Sequence, residues 1–270
     1  MFCCCFLISG SFPTRQVWKQ WLREGKQSVN FVVHVSNVSD DLKTRISKWC
    51  NQLGGTIVES VPTSWGGIGI VRAEGLLFDT ASNVYPSSTH YWLVSETTIP
   101  CLSASVIEKR LKTSRFQSCS IFSPMTQSWI ESSVNKQIVS KDWRPVTCSQ
   151  FLIIHKHHWK IIVGIFWPWL NELSSLSWES ISYSGVSVAP DEFVIQTLLQ
   201  NLCHRQIRRQ IVVADRVDSS GKHARPIDLS EVLNFVRDAS NSPPLLFGAR
   251  KVVKLSKDLI AVLTEEHVLQ

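Results

Sequence analysis

Short apolar runs alternate with amphipathic stretches along the first half of the chain. Continuous apolar runs bounded by polar turns are typical of buried parallel strands, and a helical apolar period is typical of the helices that cover them. This half therefore predicts βαβ units, an α/β fold and a mainly parallel central sheet flanked by helices. The predicted strands are residues 2–8, 30–35, 56–61 and 90–95, and the predicted helices are residues 15–23, 40–53, 70–82 and about 103–111.

Local signals place the ends of several of these elements. Asp40 or Asp41 is expected to cap the second helix, and Gly54-Gly55 to end it. Pro100 is expected to stop the strand at 90–95. The apolar face of the helix at 70–82 is predicted to carry Val71, Leu76, Leu77 and Ala81.

The second half has fewer clear elements. Residues 113–140 are rich in Ser and Gln, and Ser242-Pro243-Pro244 is expected to break a helix. Asp228 is expected to cap that helix. The predicted strands are 150–154 and 211–214, and the predicted helices are 156–163, 191–202 and 228–238.

Composition narrows the class of protein. A hydrophobic fraction of 44% with 19% charged residues is that of a folded globular chain, and 270 residues suit one large α/β domain. The net charge of +6 fits a nucleotide diphosphate, but it also fits nucleic acid or an anionic membrane surface. The basic residues are scattered, the densest stretch being 204–209, so no nucleic-acid partner is predicted.

The eight cysteines and the apolar start of the chain are uninformative about function. No CxxC pair occurs, so a zinc site is not predicted, and the dispersed cysteines are either free core residues or disulfide partners. The apolar run at 2–8 is too short to span a bilayer and lacks the charged flank of a signal peptide. It is interpreted as a buried strand.

Several well-known catalytic motifs are missing from the sequence, so the chemistry that remains to be considered is that of carboxylate side chains. The sequence has no GxGxxG, GxxxxGK[ST], HExxH or GxSxG motif and no DxD pair after a strand. In an open α/β sheet, ligands bind beyond the carboxyl ends of the strands. Polar residues at such positions occur at 34–37, 64–67, 95–98 and 190–192.

Five segments in order resemble one family. They are 6–10 (FLISG), 65–74 (WGGIGIVRAE), 91–100 (YWLVSETTIP), 189–199 (APDEFVIQTLL) and 246–251 (LFGARK). Each is weak alone, but together they resemble the core-2/I-branching β-1,6-N-acetylglucosaminyltransferase family, glycosyltransferase family 14, and most of all its plant-type branch.

The resemblance implies a GT-A-like fold and an inverting transfer from a UDP-sugar, with N-acetylglucosamine first among the donors. It implies no metal and no cofactor, basic side chains taking the metal's place, and a glycan acceptor. It further implies a nucleotide-binding half at 1–112, an acceptor and catalytic half at 141–270, and a lumenal Golgi location. The membrane anchor and stem expected of the family are not found in this sequence.

Glu192 matches the family's catalytic base. The competing reading is an acid at a helix N-terminus, favoured there by the helix dipole. Asp191 is expected to be a cap or an orienting group. Lys251 matches the family's diphosphate-binding cation and Arg250 adjoins it, although a solvated surface pair would look the same. Arg225 is a candidate for a second phosphate-binding residue.

Further contacts are inferred from the same resemblance. Ser95 and Glu96 follow the central strand, where the family contacts donor and acceptor, although Glu96 could simply cap a turn. Trp65 is a candidate wall of the site, although a loop tryptophan is more often core. His34 is a candidate nucleotide contact, but Ser36 stands where the family often has an acidic residue.

Two departures keep a second function open. Residues 143–151 resemble a family segment containing Trp143 and Arg144, but Pro145-Val146-Thr147-Cys148 replaces its tighter linkage, so acceptor recognition is expected to differ. The cluster at 155–158 (HKHH) suggests a metal site, but that spacing does not bring three ligands together. The alternative is a catalytically silent relative that binds a glycan or a protein.

Overall fold

A computed structural model of the protein describes most of the chain. The described residues are 1–113, 118–120, 122–124, 143, 146–175, 182–183, 186–187, 189–203, 207–209, 212–214, 216, 225–241, 247–252 and 257–269. Arg144, residues 125–140 and Ser242-Pro243-Pro244, on which predictions were made, lie outside them.

A seven-stranded sheet forms the centre of the molecule, in the order β12-β6-β9-β4-β1-β2-β3. β1 is parallel to β2 and β4, β2 is parallel to β3, and only β9 runs antiparallel to its neighbours β4 and β6. The predicted α/β architecture with a mainly parallel sheet is confirmed. Its strands are β1 Phe2–Ser9, β2 Val29–Ser36, β3 Thr56–Ile57, β4 His90–Ser95, β6 Ser118–Ser120, β9 Ile153–His155 and β12 Ile207–Arg209.

Three smaller sheets accompany it. β5 (Ile99–Pro100), β13 (Val213–Ala214) and β14 (Gly248–Ala249) form one of them, with β14 in the middle. β7 (Phe122–Pro124) pairs with β8 (Val146–Cys148), and β10 (Ser182–Tyr183) pairs with β11 (Val186–Ser187). Pro100 therefore lies within a short strand and does not stop β4, which ends at Ser95.

Helices cover both faces of the central sheet. In the described part they are α1 Arg15–Glu24, α2 Asp40–Leu53, α3 Ile68–Val84, α4 Ala104–Thr113, α5 Lys156–Leu173, α6 Val194–Cys203, α7 Leu229–Asn241 and α8 Lys257–Glu265. The buried side chains divide into one cluster with α1, α2, α4, α7 and α8 and another with α3, α5 and α6. β1 serves both clusters, since Phe2, Cys4, Phe6 and Ile8 belong to the first and Cys3 and Cys5 to the second.

Several helix ends follow the predicted signals. Gly54 ends α2 in the left-handed conformation at φ 74°, as expected. The cap of α2 is Ser39, whose hydroxyl accepts from the Leu42 N–H at 3.3 Å, and not Asp40 or Asp41. Asp228 caps α7 as predicted, its Oδ1 accepting from the Glu231 N–H at 2.9 Å.

Two elements differ in length from the prediction. The strand predicted at 56–61 pairs only at Thr56–Ile57, because the chain beyond it is held by side chains: Ser60 donates to the Val35 carbonyl at 2.6 Å. The helix predicted at 156–163 continues past Pro168 to Leu173. Its buried Phe166 and Leu170 show that packing outweighs local helix-breaking signals there.

Histidines and cysteines serve the fold. His155 accepts the His157 N–H at 3.1 Å and so caps α5, and His158 is buried. His155 lies opposite His90 in the β4–β9 pairing, with ring centroids 4.7 Å apart. The six cysteines whose side chains are described are buried and free.

Candidate active site

Three parallel strands end together at one edge of the central sheet. Ser9 of β1 pairs with Ser36 of β2, and Ser95 of β4 pairs with Leu7 of β1. The carboxyl edge of an open α/β sheet is where ligands bind, because loops leave the sheet there and expose polar groups. Ser9, Ser36 and Ser95 mark that edge.

The small three-stranded sheet brings the C-terminal part of the chain to this edge. β14 is antiparallel to β5, and the Val252 N–H donates to the Thr97 carbonyl at 3.1 Å. Arg250 and Lys251, which follow β14 directly, are thereby placed beside the turn that leaves β4. Nothing local in the sequence predicts this pairing.

The charge of Lys251 acts on Glu96, which lies in this turn. Burial raises the pKa of the Glu96 carboxyl, while its own backbone N–H, the positive charge of Lys251 and the Ser9 N–H all act to lower it. The Glu96 carbonyl accepts from the Thr14 hydroxyl at 2.7 Å. Glu96 therefore joins the ends of β1 and β4 and also interacts electrostatically with the predicted diphosphate-binding cation.

The backbone of Lys251 is held in an uncommon conformation. Its φ is 69°, in the left-handed region that a residue with a Cβ seldom adopts. Its carbonyl accepts from the Ile227 N–H at 3.3 Å, which ties it to the segment before α7. Strained residues of this kind concentrate at functional sites, where the surrounding structure fixes their direction.

Asp191 and Glu192 lie in a 3-10 turn, Pro190–Glu192, and not in the first turn of an α-helix as predicted. α6 begins only at Val194, because Pro190 starts a tighter turn closed by the Glu192 N–H on the Ala189 carbonyl at 3.0 Å. Glu192 is exposed, whereas Asp191 is 9% exposed. Of the two neighbouring acids, Glu192 faces solvent and Asp191 faces the protein.

The carboxyl of Asp191 is shifted by its surroundings. Burial raises its pKa to about 6, while its own backbone N–H and the charge of Arg250 act in the opposite direction. Its carbonyl accepts from Gln196 Nε2 at 2.9 Å. The bond from Gln196 thus holds the backbone of the turn, and the prediction that Asp191 is a cap or an orienting group stays a prediction.

Arg250 is positioned by an aromatic ring. Its guanidinium carbon lies 4.8 Å from the ring centroid of Phe151, which is buried. The Arg250 N–H donates to the Ala214 carbonyl at 2.9 Å, which fixes the backbone as well. A cation over a ring face is attracted by the ring's quadrupole, and this contact leaves its charge in place.

A buried carboxyl that was not predicted from the sequence lies beneath the Pro190–Glu192 turn. Glu74 of α3 is 1% exposed, and its Oε1 accepts from Gln150 Nε2 at 2.7 Å. The signal was present, since Glu74 is spaced one helical turn from Val71 and from Phe78, both of them buried. A carboxyl on the apolar face of a helix was the feature to notice.

Ser95 and Trp65 occupy different settings. The Ser95 hydroxyl lies 3.0 Å from that of Thr98 and 3.2 Å from that of Thr97, so it is part of a hydroxyl cluster in the turn after β4. Trp65 is 86% exposed, in the loop before α3, so the core reading does not apply to it. Its indole is a flat apolar face open to solvent.

His34 has a structural task in this conformation. It is fully buried, its Nε2 accepts from the Val61 N–H at 3.0 Å, and burial lowers its pKa. It holds the segment after β3 against β2 and does not reach the surface of the edge. The Ser36 hydroxyl, at the end of β2, lies 2.6 Å from that of Thr63.

Arg225 lies two residues before Ile227, whose backbone N–H bonds the Lys251 carbonyl. The side chain of Arg225, however, is paired with Glu231. Its two guanidinium nitrogens bond the carboxylate oxygens of Glu231, at 3.0 Å and 2.5 Å. Arg225 is exposed, and this pairing raises its pKa. It would have to leave Glu231 in order to bind a phosphate.

The described part of the chain contains neither a metal-ligand cluster nor a membrane-spanning helix. No group of three or more His, Cys, Asp and Glu side chains there is arranged to hold a metal ion. No described helix is both long enough and apolar enough to cross a bilayer.

Comparison with solved structures gives weak similarities. A structure of S. aureus TarS 1-349 in complex with UDP has a TM-score of 0.35 and 12% identity, covering 59% of this chain and 48% of that chain. A second structure of S. aureus TarS 1-349 has a TM-score of 0.43 and 12% identity, covering 99% of this chain and 72% of that chain. Both scores are too low to support a conclusion about this protein.

Comparison with families is decisive. No curated protein matches the chain. Residues 4–232 match the model described as Core-2/I-Branching enzyme, a range that contains Glu74, Glu96 and Glu192 and ends before Arg250 and Lys251. Because that match spans well over half of the sequence, the protein belongs to the Core-2/I-Branching enzyme family of glycosyltransferases.

Proposed function

We propose that the protein is an inverting glycosyltransferase that needs no metal. It transfers a sugar, with N-acetylglucosamine the first candidate, from a UDP-sugar to a hydroxyl of a glycan or glycoprotein. Family membership supports the transferase class. The donor, the stereochemistry and the independence from metal are parts of the proposal.

One arrangement carries the proposal. Exposed Glu192 stands next to Asp191, on which the charge of Arg250 acts, and Arg250 is followed by Lys251 at the carboxyl edge of β4. This arrangement supports the proposal that a carboxylate and two cations act together at the edge of the sheet where a nucleotide-sugar would lie.

These groups match the needs of a single displacement. Glu192 removes the proton of the acceptor hydroxyl while that oxygen attacks the anomeric carbon from the face opposite the diphosphate. The bond from the anomeric carbon to the diphosphate oxygen breaks, and negative charge gathers on the departing UDP. Lys251 and Arg250 stabilise that charge in place of a metal, which is electrostatic stabilisation of the transition state.

The remaining candidates complete the proposed site. Ser95 and Glu96 contact the donor or the acceptor from the turn after β4, and Trp65 offers its exposed face to a sugar ring. We propose residues 1–112 as the nucleotide-binding half and residues 141–270 as the acceptor and catalytic half. A Golgi lumenal location and closeness to the plant-type branch remain predictions from the family resemblance.

The test is a panel of UDP- and GDP-sugars assayed with EDTA for transfer and for donor hydrolysis. We expect turnover of a UDP-sugar that EDTA does not reduce, and a product of inverted anomeric configuration by NMR. Loss of turnover with EDTA and its recovery with Mn²⁺ would contradict the metal-independent mechanism. A retained configuration would contradict the role of Glu192.

A second candidate function is a silent relative that binds a glycan or a protein through the same cleft. The carboxyl end of β2 favours this second function, because neither polar side chain there is available to a nucleotide. His34 is buried, and the Ser36 hydroxyl is paired with that of Thr63. No acidic side chain is offered at the position where many family members have one. Calorimetric titration with UDP separates the two candidates: binding supports the transferase, and absence of binding with retained glycan binding supports the silent relative.

A further inference from the structure

The carboxyl of Glu74 lies between α3 and the turn that carries Glu192. It is buried, it is bonded to Gln150 on one oxygen, and its pKa is raised well above the usual range, first by burial and then by the charge of Asp191. The hydrogen bond from Gln150 acts in the opposite direction but does not offset burial. The two carboxyls, Glu74 and Asp191, therefore interact electrostatically.

Three buried oxygens here have no hydrogen-bond partner among the described residues: Glu74 Oε2, Asp191 Oδ1 and Gln196 Oε1. Leaving a buried polar atom unpaired costs free energy, so such atoms normally find partners. An ionised carboxylate can only accept hydrogen bonds, and so can an amide oxygen. With both carboxyls ionised, three acceptors would lie together without a donor.

A proton on Glu74 resolves this conflict. The protonated carboxyl has an O–H on Oε2, which can donate towards Asp191 Oδ1, while Oε1 continues to accept from Gln150. The other side of the cluster is already joined to the turn, since Gln196 Nε2 bonds the Asp191 carbonyl. The arrangement would then tie α3, Gln150 and the turn into one unit.

The other described groups packed on α3 supply no donor to these oxygens. α5 presents the rings of Phe166 and Trp167 beside Gly75, and β1 presents the buried thiols of Cys3 and Cys5 to the same cluster. Asp79, further along α3, accepts from two tryptophan N–H groups, those of Trp159 and Trp167.

Two described arginines bear on the charge balance around the pair. Arg72 of α3 donates to Asn171 of α5 at 3.2 Å. The charge of Arg250 acts on Asp191, where it favours the ionised form. The cation therefore favours a charge on Asp191, and the proton stays on Glu74.

We propose that Glu74 is a positioning residue that holds the Pro190–Glu192 turn through a proton kept on its carboxyl and donated towards Asp191. The role of the turn in transfer rests on the proposed function of Glu192. The protonated carboxyl itself is a property of the fold and can be tested without activity.

The first experiment measures stability against pH for the wild type, Glu74→Gln and the matched control Asp191→Asn. Glutamine is the neutral isostere of the protonated acid, with an amide N–H₂ in place of the O–H. Between pH 6.5 and 8, above the pKa of Asp191, folded Glu74 keeps a proton that the unfolded chain has lost. The Glu74 carboxyl therefore contributes a loss of stability as the pH rises, of up to about tenfold in the folding constant per pH unit, against the opposite contribution of His34, His90 and His155, whose pKa values burial lowers.

We expect Glu74→Gln to lack this slope, so that it gains stability relative to the wild type as the pH rises. Asp191→Asn should keep this contribution, because burial, the larger cause of the raised pKa of Glu74, is unchanged. Urea unfolding followed by tryptophan fluorescence gives all three curves. If the free energies of unfolding of Glu74→Gln and the wild type differ by the same amount from pH 6.5 to 8, Glu74 does not keep its proton.

The second experiment tests the positioning role on the active protein, with Glu74→Gln and Glu74→Leu checked for folding by circular dichroism. We expect Glu74→Gln to keep kcat near that of the wild type, and Glu74→Leu to lower kcat by about tenfold or more with UDP affinity unchanged. Equal kcat in the folded Glu74→Leu variant would overturn the positioning role. If the wild type shows no transfer at all, the proposed function fails, and the stability slopes still decide whether Glu74 keeps its proton.

Discussion

The guanidinium of Arg250 lies over the ring of Phe151, 4.8 Å from its centroid, although the two residues belong to distant parts of the sequence. Phe151 directly follows Gln150, which bonds Glu74, and the charge of Arg250 acts on Asp191. A single ring thus connects the cation of the proposed diphosphate site with the network beneath the proposed base. The ring contact sets the direction of the Arg250 guanidinium.

Replacing Phe151 with leucine is expected to weaken UDP binding. The ring contact contributes about 0.5–1 kcal/mol at a partly exposed site, so the dissociation constant should rise by about twofold to fivefold. Phe151→Tyr keeps a ring face and should bind UDP as the wild type does. Calorimetry with UDP measures both, and equal weakening in the two variants would show that the ring does not act through its face.

Glu192→Gln is expected to abolish most transfer while UDP binding is preserved. Loss of a general base commonly lowers the rate by about a hundredfold or more, and the amide cannot accept the proton of the acceptor hydroxyl. Initial-rate assays and UDP calorimetry give the two quantities. The matched control is Glu172→Gln on α5, an exposed acid outside the candidate site, which should leave kcat unchanged. Full activity in Glu192→Gln would rule out this residue as the base.

Lys251 combines a charge with a left-handed backbone, and two substitutions separate the effects. Lys251→Gly removes the charge but accepts φ 69° without strain, whereas Lys251→Ala removes the charge and keeps the strain. The glycine variant should be more stable than the alanine variant by about 1 kcal/mol in urea unfolding. Both should bind UDP more weakly than the wild type. Unchanged UDP affinity in both would remove Lys251 from the diphosphate site.

Trp65→Ala is expected to affect acceptor use and not stability. The side chain is 86% exposed, so its removal should change the free energy of unfolding by less than about 0.5 kcal/mol. If its face stacks on a sugar, KM for the acceptor should rise severalfold with kcat nearly constant. Val106→Ala, another exposed apolar position, serves as control. An unchanged acceptor KM would show that Trp65 does not bind the glycan.

Local pattern was sufficient for the elements of the first half. Continuous apolar runs predicted β1 and β4 to within a residue at each end, and the Gly54-Gly55 signal placed the end of α2. It failed where side chains from other elements compete for the backbone. The strand after α2 stops at Ile57 because Ser60 and Val61 bond Val35 and His34 of β2.

The architecture, the family and the candidacy of Glu192 and Lys251 could all be predicted from the amino-acid sequence, since these depend on periodicity and on motifs that are contiguous in the chain. The folded chain was needed to show that Arg250 lies over Phe151, that the charge of Lys251 acts on Glu96, and that the charge of Asp191 acts on Glu74. Folding also withdrew His34 into the core and paired Arg225 with Glu231. Contacts of this kind depend on strand pairing between distant segments and on burial, and neither is encoded in local spacing.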